Sequence, residues 1–358
     1  MSTRLHRIAA LAAAVILGTT ALSACGANEA QEGDDDGGGG GGAIALLLPE
    51  SETTRYEAFD KPLFEAKVAE LCADCTVDYY NADKDEAKQA QQVDTAVSKG
   101  AKVIVLDPVN GAGAGGMVQS AQDSGATVIA YDRFIAEADY YLSFNNETVG
   151  EMQAQALVDE MGDKGNIIVL NGDPKDPNAA QFKAGAHTVL DSSGLKILAE
   201  FDNPDWSAEN AQEFTNDQIT KFGLDQIQGV YAANDQQGGG AIAALTGAGA
   251  DPSALPPVTG QDAEAAAIQR ILDGQQAMTV YKPYPTEANG AAELAVALIN
   301  GDEPSDTTDF EGVPSYIYDP TVVTADNVAD TVIADGLYTT EDICTAEYAD
   351  ACAKAGIE

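Results

Sequence analysis

Residues 127–146 read TVIAYDRFIAEADYYLSFNN. The opening Thr127-Val128-Ile129-Ala130-Tyr131 is a short apolar run of the kind that forms a strand covered on both faces. It stops at an opposite-charge pair, Asp132-Arg133. In an open parallel sheet, ligands bind outside the carboxyl ends of the strands. The pair therefore stands where a polar small molecule would be gripped. A carboxylate accepts hydrogen bonds, and a guanidinium donates them in a planar fork. Together they suit a ligand rich in hydroxyls. The same two residues could also form a strand-end ion pair that only fixes a loop.

Outward from this stretch, strands and helices alternate. On the N-terminal side, Ala43–Leu48 is another fully apolar strand. Tyr56–Leu71 carries Phe59, Leu63, Phe64, Val68 and Leu71 on one helical stripe. Thr76–Tyr80 and Val103–Leu106 read as strands, and Asp85–Lys99 and Met117–Asp123 as helices. The pattern restarts after Asn146. Strands are expected over Asn166–Leu170, Lys196–Phe201, Gln228–Ala232 and Ala277–Tyr281, with helices between them and a last helix over Thr286–Asn300. Such alternation predicts an α/β protein with two doubly wound, parallel-sheet units of similar size. A length of 358 residues also suits two domains.

Composition narrows the partners. Eighteen Lys plus Arg face 58 Asp plus Glu, a formal net charge of −40. That excludes nucleic acid, whose phosphates need a basic face, and charge-driven adhesion to anionic lipid. Residues 1–24 are expected to be a signal peptide. Arg4, His6 and Arg7 make a basic start, and Ile8–Leu17 is too short to span a bilayer. Leu22-Ser23-Ala24-Cys25-Gly26 resembles a bacterial lipobox, in which Cys25 is lipidated and becomes the mature N-terminus. Residues 25–42 hold Asp34-Asp35-Asp36 followed by six glycines, and are expected to be a disordered acidic, Gly-rich linker. The protein would then be tethered at a membrane through lipid alone.

Two features invite chemistry and decline it. Gly111, Gly113, Gly115 and Gly116 follow a strand, yet lack the spacing of a dinucleotide fingerprint and the Lys-Ser/Thr of a P-loop. No nucleotide or other cofactor is expected. Cys72, Cys75, Cys344 and Cys352 should pair outside the cell. The local pairings, Cys72 with Cys75 and Cys344 with Cys352, are preferred. Zinc is the rival for Cys-x-x-Cys, but a second such pair is missing and the chain has only His6 and His187. No metal is expected.

Polar residues thus wait at strand ends in both units. The arrangement resembles the sugar-binding proteins of bacterial ABC importers, of the ribose and xylose type, and most closely those that bind D-xylose. The motifs are Tyr131-Asp132-Arg133, Ser143-Phe144-Asn145-Asn146-Glu147, Asn234-Asp235 with the following glycines, Gly260-Gln261-Asp262-Ala263, and Met278-Thr279-Val280-Tyr281-Lys282-Pro283. The resemblance runs from Ala43 to about Asn327. One departure is Arg55-Tyr56, where the xylose type has Arg-Trp. The acidic linker and the Cys344–Cys352 tail also lie outside the pattern.

The resemblance implies the type I periplasmic binding protein fold, with two lobes joined by a three-crossover hinge that closes on a monosaccharide. The crossovers are expected near Phe144–Glu147, Tyr281–Lys282 and Val313–Ser315. Residues 43–144 and 283–312 would form the N-terminal lobe, and 145–282 and 313–358 the C-terminal lobe. Tyr56 and Trp206 would stack on the C–H faces of a pyranose. Arg55, Arg133 and Lys282 would donate to its hydroxyls, Asp132 and Asp262 accept, and Asn178 and Asn234 do both. Asp107 and Asp235 are further candidates nearby. A Trp that merely packs a domain surface, and Asn or Asp residues that merely build turns, are the plain alternatives.

The function implied is an extracytoplasmic, lipid-anchored solute-binding protein, a monomer and not an enzyme. It would hand a pentose, foremost D-xylose, to an ABC permease at the outer face of the cell membrane. A sugar sensor presenting its ligand to a receptor would share the same site. A glycoside hydrolase would need Asp132 and Asp262 as paired acids. Arg133 beside Asp132 should keep that carboxylate ionised, which disfavours a general acid. No G-x-S-x-G elbow is present, and His187 falls in a helix pattern away from strand ends.

Overall fold

The computed structural model describes residues 42–357. The expected signal segment, Cys25 and the linker up to residue 41 lie outside the described residues. Twelve strands follow in chain order: β1 (Ala43–Leu48), β2 (Thr76–Asn81), β3 (Ala101–Leu106), β4 (Thr127–Tyr131), β5 (Tyr140–Phe144), β6 (Gly165–Asn171), β7 (Leu195–Asp202), β8 (Gly229–Ala232), β9 (Thr279–Tyr281), β10 (Thr308–Phe310), β11 (Val313–Tyr318) and β12 (Thr321–Val323).

They form two sheets. The first has the order β2-β1-β3-β4-β5-β11-β10, parallel throughout except for β10 against β11. The second starts as β7-β6-β8, all parallel. Single bridges from Val230 to Val258 and from Gln261 to Val280 carry it on to β9, whose other edge takes β12 antiparallel. Both lobes thus begin with the doubly wound order 2-1-3.

The apolar runs explain this layering. A strand points alternate side chains to opposite faces, so a run covered on both sides must be apolar at every position. Ala45, Leu47 and Ile104 pack on one face of the first sheet. Ile44, Leu46, Leu48, Val103 and Val105 pack on the other. In the second lobe Ile167 and Val169 face one core and Ile168 and Leu170 the other. The helices open where side-chain oxygens can cap them. Asp85, Asn145, Asp176, Ser207 and Asn234 each accept a hydrogen bond from a first-turn N–H. Leu71 departs from its expected stripe: the helix Lys61–Leu71 buries Phe64 and Val68 but leaves Leu71 44% exposed.

The third crossover is not near Val313–Ser315. From Ser315 onward β11 runs parallel to β5, with Ser315 opposite Tyr141 and Tyr318 opposite Phe144. Val313 packs in the first-lobe core. Residues 313–318 therefore belong to the first sheet, and the chain leaves it only between Tyr318 and Thr321, where β12 joins β9. Beyond β12 the chain builds a further apolar cluster. Val328, Val332, Leu337, Ile343 and Cys352 pack there against Tyr281 and Tyr284. Cys344 is bonded to Cys352 in this segment, and Cys72 to Cys75 in the first lobe.

Candidate functional site

Local structure aims the strand-end residues. After β1, the buried Glu50 carboxylate accepts from the backbone N–H of Thr53 at 3.0 Å, which turns the chain into Arg55 and Tyr56. After β4, Asp132 takes a left-handed backbone conformation with φ 57°, a region that Asp tolerates better than most residues. Its carbonyl is held by Ser143 Oγ at 2.7 Å and by Asn178 Nδ2 at 3.0 Å. In the second lobe, Asp176 caps the helix Pro177–Leu190, which sets Asn178 and Phe182 on its first turns. Trp206 ends a short turn before the helix Ala208–Phe222. Lys282 directly follows β9.

These segments converge. Arg55, Tyr56, Asp132 and Arg133 from the first lobe line a cavity together with Asn178, Trp206, Asn234, Asp262 and Lys282. The space they enclose is about 330 Å³, open solvent at its mouth included. All nine residues expected from the sequence meet there. Thr53, Asp176, Phe182 and Gln261 line it too and were not expected. Asp176 carried a signal in the Asp-Pro-Asn step, but as a helix cap. Gln261 stood inside the Gly260–Ala263 motif.

Ion pairs tie the lining together. Arg55 reaches Asp60 through Nε at 2.9 Å and through Nη2 at 2.8 Å. Its Nη2 also lies 2.7 Å from Glu287, and its Nη1 3.2 Å from Asp132. Arg133 Nε is 2.9 Å from Asp176 and 3.5 Å from Asp107. Arg133 Nη2 donates to the Tyr56 hydroxyl at 3.2 Å, an acceptor that a Trp at this position could not offer. Lys282 Nζ lies 3.3 Å from Asp262 and 4.0 Å from Asp132. Trp206 Nε1 donates to Asp176 at 3.1 Å. All of these groups are buried.

Burial and charge act against each other on the carboxyls. Burial alone would raise the Asp132 pKa. Arg55, Lys282 and Arg133 outweigh it and hold the group below the ordinary carboxylate value. For Glu287 and Asp107 burial wins, and both are pushed well up despite a nearby arginine. Five buried atoms of the lining make no hydrogen bond within the chain: Arg55 Nη1, Asp132 Oδ1 and Arg133 Nε, which have only ion-pair partners, and Asn178 Oδ1 and Gln261 Oε1, which have none. Polar atoms left so are costly unless something completes them.

Two weaker candidates go elsewhere. Asp107 is wholly buried behind Arg133 and does not line the cavity. Asp235 spends its carboxylate on Gln276, Thr279 and the N–H of Glu264, which holds the Gly260–Ala263 loop in place. Asn234 lines the cavity, but its Oδ1 already caps the helix Asp235–Gly247. The lobes also touch through residues that do not line the cavity. Lys175 pairs with Glu86 at 2.9 Å, and Gln236 donates to the Glu52 carbonyl at 2.9 Å.

Residues 44–303 match the family model described as a periplasmic binding protein domain. The chain belongs to the periplasmic binding protein family. It is 41% identical to the D-xylose-binding periplasmic protein of Escherichia coli K12 over 289 residues, covering 78% of this chain and 86% of that protein. The D-xylose-binding periplasmic protein of Haemophilus influenzae is 36% identical, with 79% and 87% covered. Among solved structures, an ABC transporter solute binding protein from Clostridium phytofermentans with bound β-D-glucose superposes with a TM-score of 0.76. The two are 28% identical, and the match covers 84% of this chain and 99% of that one. As a periplasmic binding protein of this family, the chain is a binding component and not an enzyme.

Proposed function

We propose that this periplasmic binding protein is an extracytoplasmic lipoprotein that captures a monosaccharide and passes it to an ABC permease. D-xylose is the foremost ligand. The observation that carries the reading is the lining itself: three aromatic rings and buried donors and acceptors, five of whose atoms make no hydrogen bond within the chain, in one cavity. Three cationic side chains of the lining, Arg55, Arg133 and Lys282, face three carboxylates, Asp132, Asp176 and Asp262. That balance suits a neutral ligand better than a sugar acid or an amine. The names of the relatives at 36% and 41% identity support D-xylose. A D-aldohexose is the second reading, favoured by the glucose bound in the structural neighbour.

In this reading the lobes close on the sugar about the three crossovers. Asp132, Arg133, Arg55, Asp262, Lys282, Asn178 and Asn234 hold its hydroxyls, and Tyr56 and Trp206 pack on its faces. Cys25 carries the lipid that keeps the monomer at the outer face of the membrane. A thermal-shift and calorimetric screen over pentoses, hexoses and their glycosides tests it. Ligand at a hundredfold its dissociation constant adds about 2.7 kcal/mol of stability. D-xylose should give the largest shift, and glycosides should emerge unhydrolysed. A protein that responds only to hexoses would overturn the pentose, and one that responds to no sugar would overturn the function.

A further inference from the structure

Tyr284 is the first residue of the helix Tyr284–Asn300. That helix packs Ala291, Ala292, Leu294, Ala295 and Val296 into the first-lobe core. The Tyr284 ring lies instead in the cluster with Ala263, Ile268 and Tyr281 of the second lobe. The residue therefore sits astride the second crossover. It is 1% exposed and does not line the cavity.

Both ends of the side chain touch something that does. The Arg55 guanidinium carbon lies 4.5 Å from the centre of the Tyr284 ring, over its face. The Tyr284 hydroxyl donates to the carbonyl oxygen of Asp262. Asp262 needs the support. Its φ is 95° and that of Ala263 is 51°, conformations that side-chain-bearing residues adopt rarely. The Asp262 N–H is held by Val280 at 2.9 Å, so Tyr284 supplies the fixing contact on the carbonyl side. The ring itself is braced. Phe59 stacks on it at 5.9 Å, Tyr281 meets it edge-on at 6.3 Å, and Tyr338 of the C-terminal segment packs edge-on to Phe59 at 5.6 Å. Burial, with Asp262 close by, pushes the hydroxyl well above its ordinary pKa, so it remains a donor.

We infer that Tyr284 is a positioning residue for ligand binding, aligning Arg55 of one lobe with Asp262 of the other without touching the ligand. The inference rests on the sugar-binding reading of the cavity. The test measures affinity by calorimetry for D-xylose and D-glucose in the full chain, Tyr284→Phe, Asp262→Asn and the double variant. The phenylalanine keeps the ring over Arg55 and loses only the bond to Asp262. It should weaken binding of the preferred sugar about tenfold. If Tyr284 acts through Asp262, adding Tyr284→Phe to Asp262→Asn should cost much less than that. Tyr284→Leu, which also removes the face under Arg55, should weaken binding further.

A merely structural role would lower the thermal midpoint of the ligand-free protein and leave the affinity of the folded fraction unchanged. That outcome, or losses in the double variant that simply multiply, overturns the inference. A parent that binds sugar while Tyr284→Phe matches it removes the inference alone. A parent that binds neither sugar removes the functional reading and the inference with it.

Discussion

Gly172→Ala would test the tryptophan without altering any side chain of the cavity. Gly172 follows β6, and a Cβ built there would meet Trp206 Cη2 at 2.0 Å, Cζ2 at 2.3 Å and Cζ3 at 2.6 Å. Carbon atoms in contact rest about 3.5–4.0 Å apart. The six-membered ring must therefore retreat by about 1.5 Å, or the strand end must yield. Neither is easy. Trp206 is buried, its Nε1 is held by Asp176 at 3.1 Å, and Phe182 stands edge-on at 6.2 Å. Overpacking of this kind costs about 1–3 kcal/mol of stability. If the indole also packs on a sugar, its displacement should cost about 1–3 kcal/mol of binding, the scale of a buried aromatic contact. That is about 5-fold to 150-fold in affinity. Chemical denaturation reads the first loss and calorimetry the second. Trp206 is the only tryptophan, so indole emission reports on its surroundings directly. Shifted emission with parental affinity would show that the ring moved and that binding does not use it. An unchanged emission and midpoint would show that the ring is not wedged against Gly172 at all.

Three further outcomes are expected. Burial, aided by the Asp262 charge, lifts the Glu264 carboxyl to about 7. A raised folded pKa means that ionisation opposes folding, so its stability contribution is whole below about pH 4.5 and lost as pH rises through about 7. Glu264→Gln should flatten the fall in thermal midpoint between about pH 5 and pH 8, and an equally steep fall would exclude this group as its source. Replacing Cys344 and Cys352 by Ser opens a loop of separation 8 and should cost about 2.5 kcal/mol in urea unfolding. A non-reduced digest that links Cys72 to Cys344 would refute the local pairing altogether. Cys25→Ala should release the protein from membranes on fractionation, and a variant still bound after a salt wash would count against the lipid.

What was legible in the sequence follows from how a parallel sheet works. Each strand ends on the same edge, so an apolar run that stops at polar residues marks the ligand edge without knowledge of the partners. Tyr131-Asp132-Arg133 was readable for that reason. The groups that hold those residues were not. Arg55 is clamped by Asp60 five positions on and by Glu287 at a separation of 232. Glu287 lies in the first turn of a helix, where an acid ordinarily complements the dipole from the surface, yet here it is fully buried. Asp176 hid behind its role as a cap. Pro314 argues against a central strand, since proline cannot donate within one. It is tolerated because the pairing of β11 with β5 begins only at Ser315, which leaves position 314 paired with Asp309 of β10 alone.

The clamps bear on what the cavity can recognise. An arginine whose fork is filled by Asp60 and Glu287 cannot swing to meet a ligand, and only its Nη1, beside Asp132 at 3.2 Å, makes no hydrogen bond within the chain. Arg133 is likewise spread over Asp176, Tyr56 and the Pro108 carbonyl. Fixed atoms cost little further ordering when a ligand arrives, which favours affinity. They also cannot adapt. A hydroxyl in the wrong place leaves both itself and a buried protein atom unpaired, and an unmade buried bond costs more than a made one returns. The network that binds Arg55 and Arg133 to the protein is therefore what would let a polar cavity tell one sugar from another. Selectivity should be set as much by Asp60, Glu287 and Asp176 behind the site as by the residues whose atoms face the sugar.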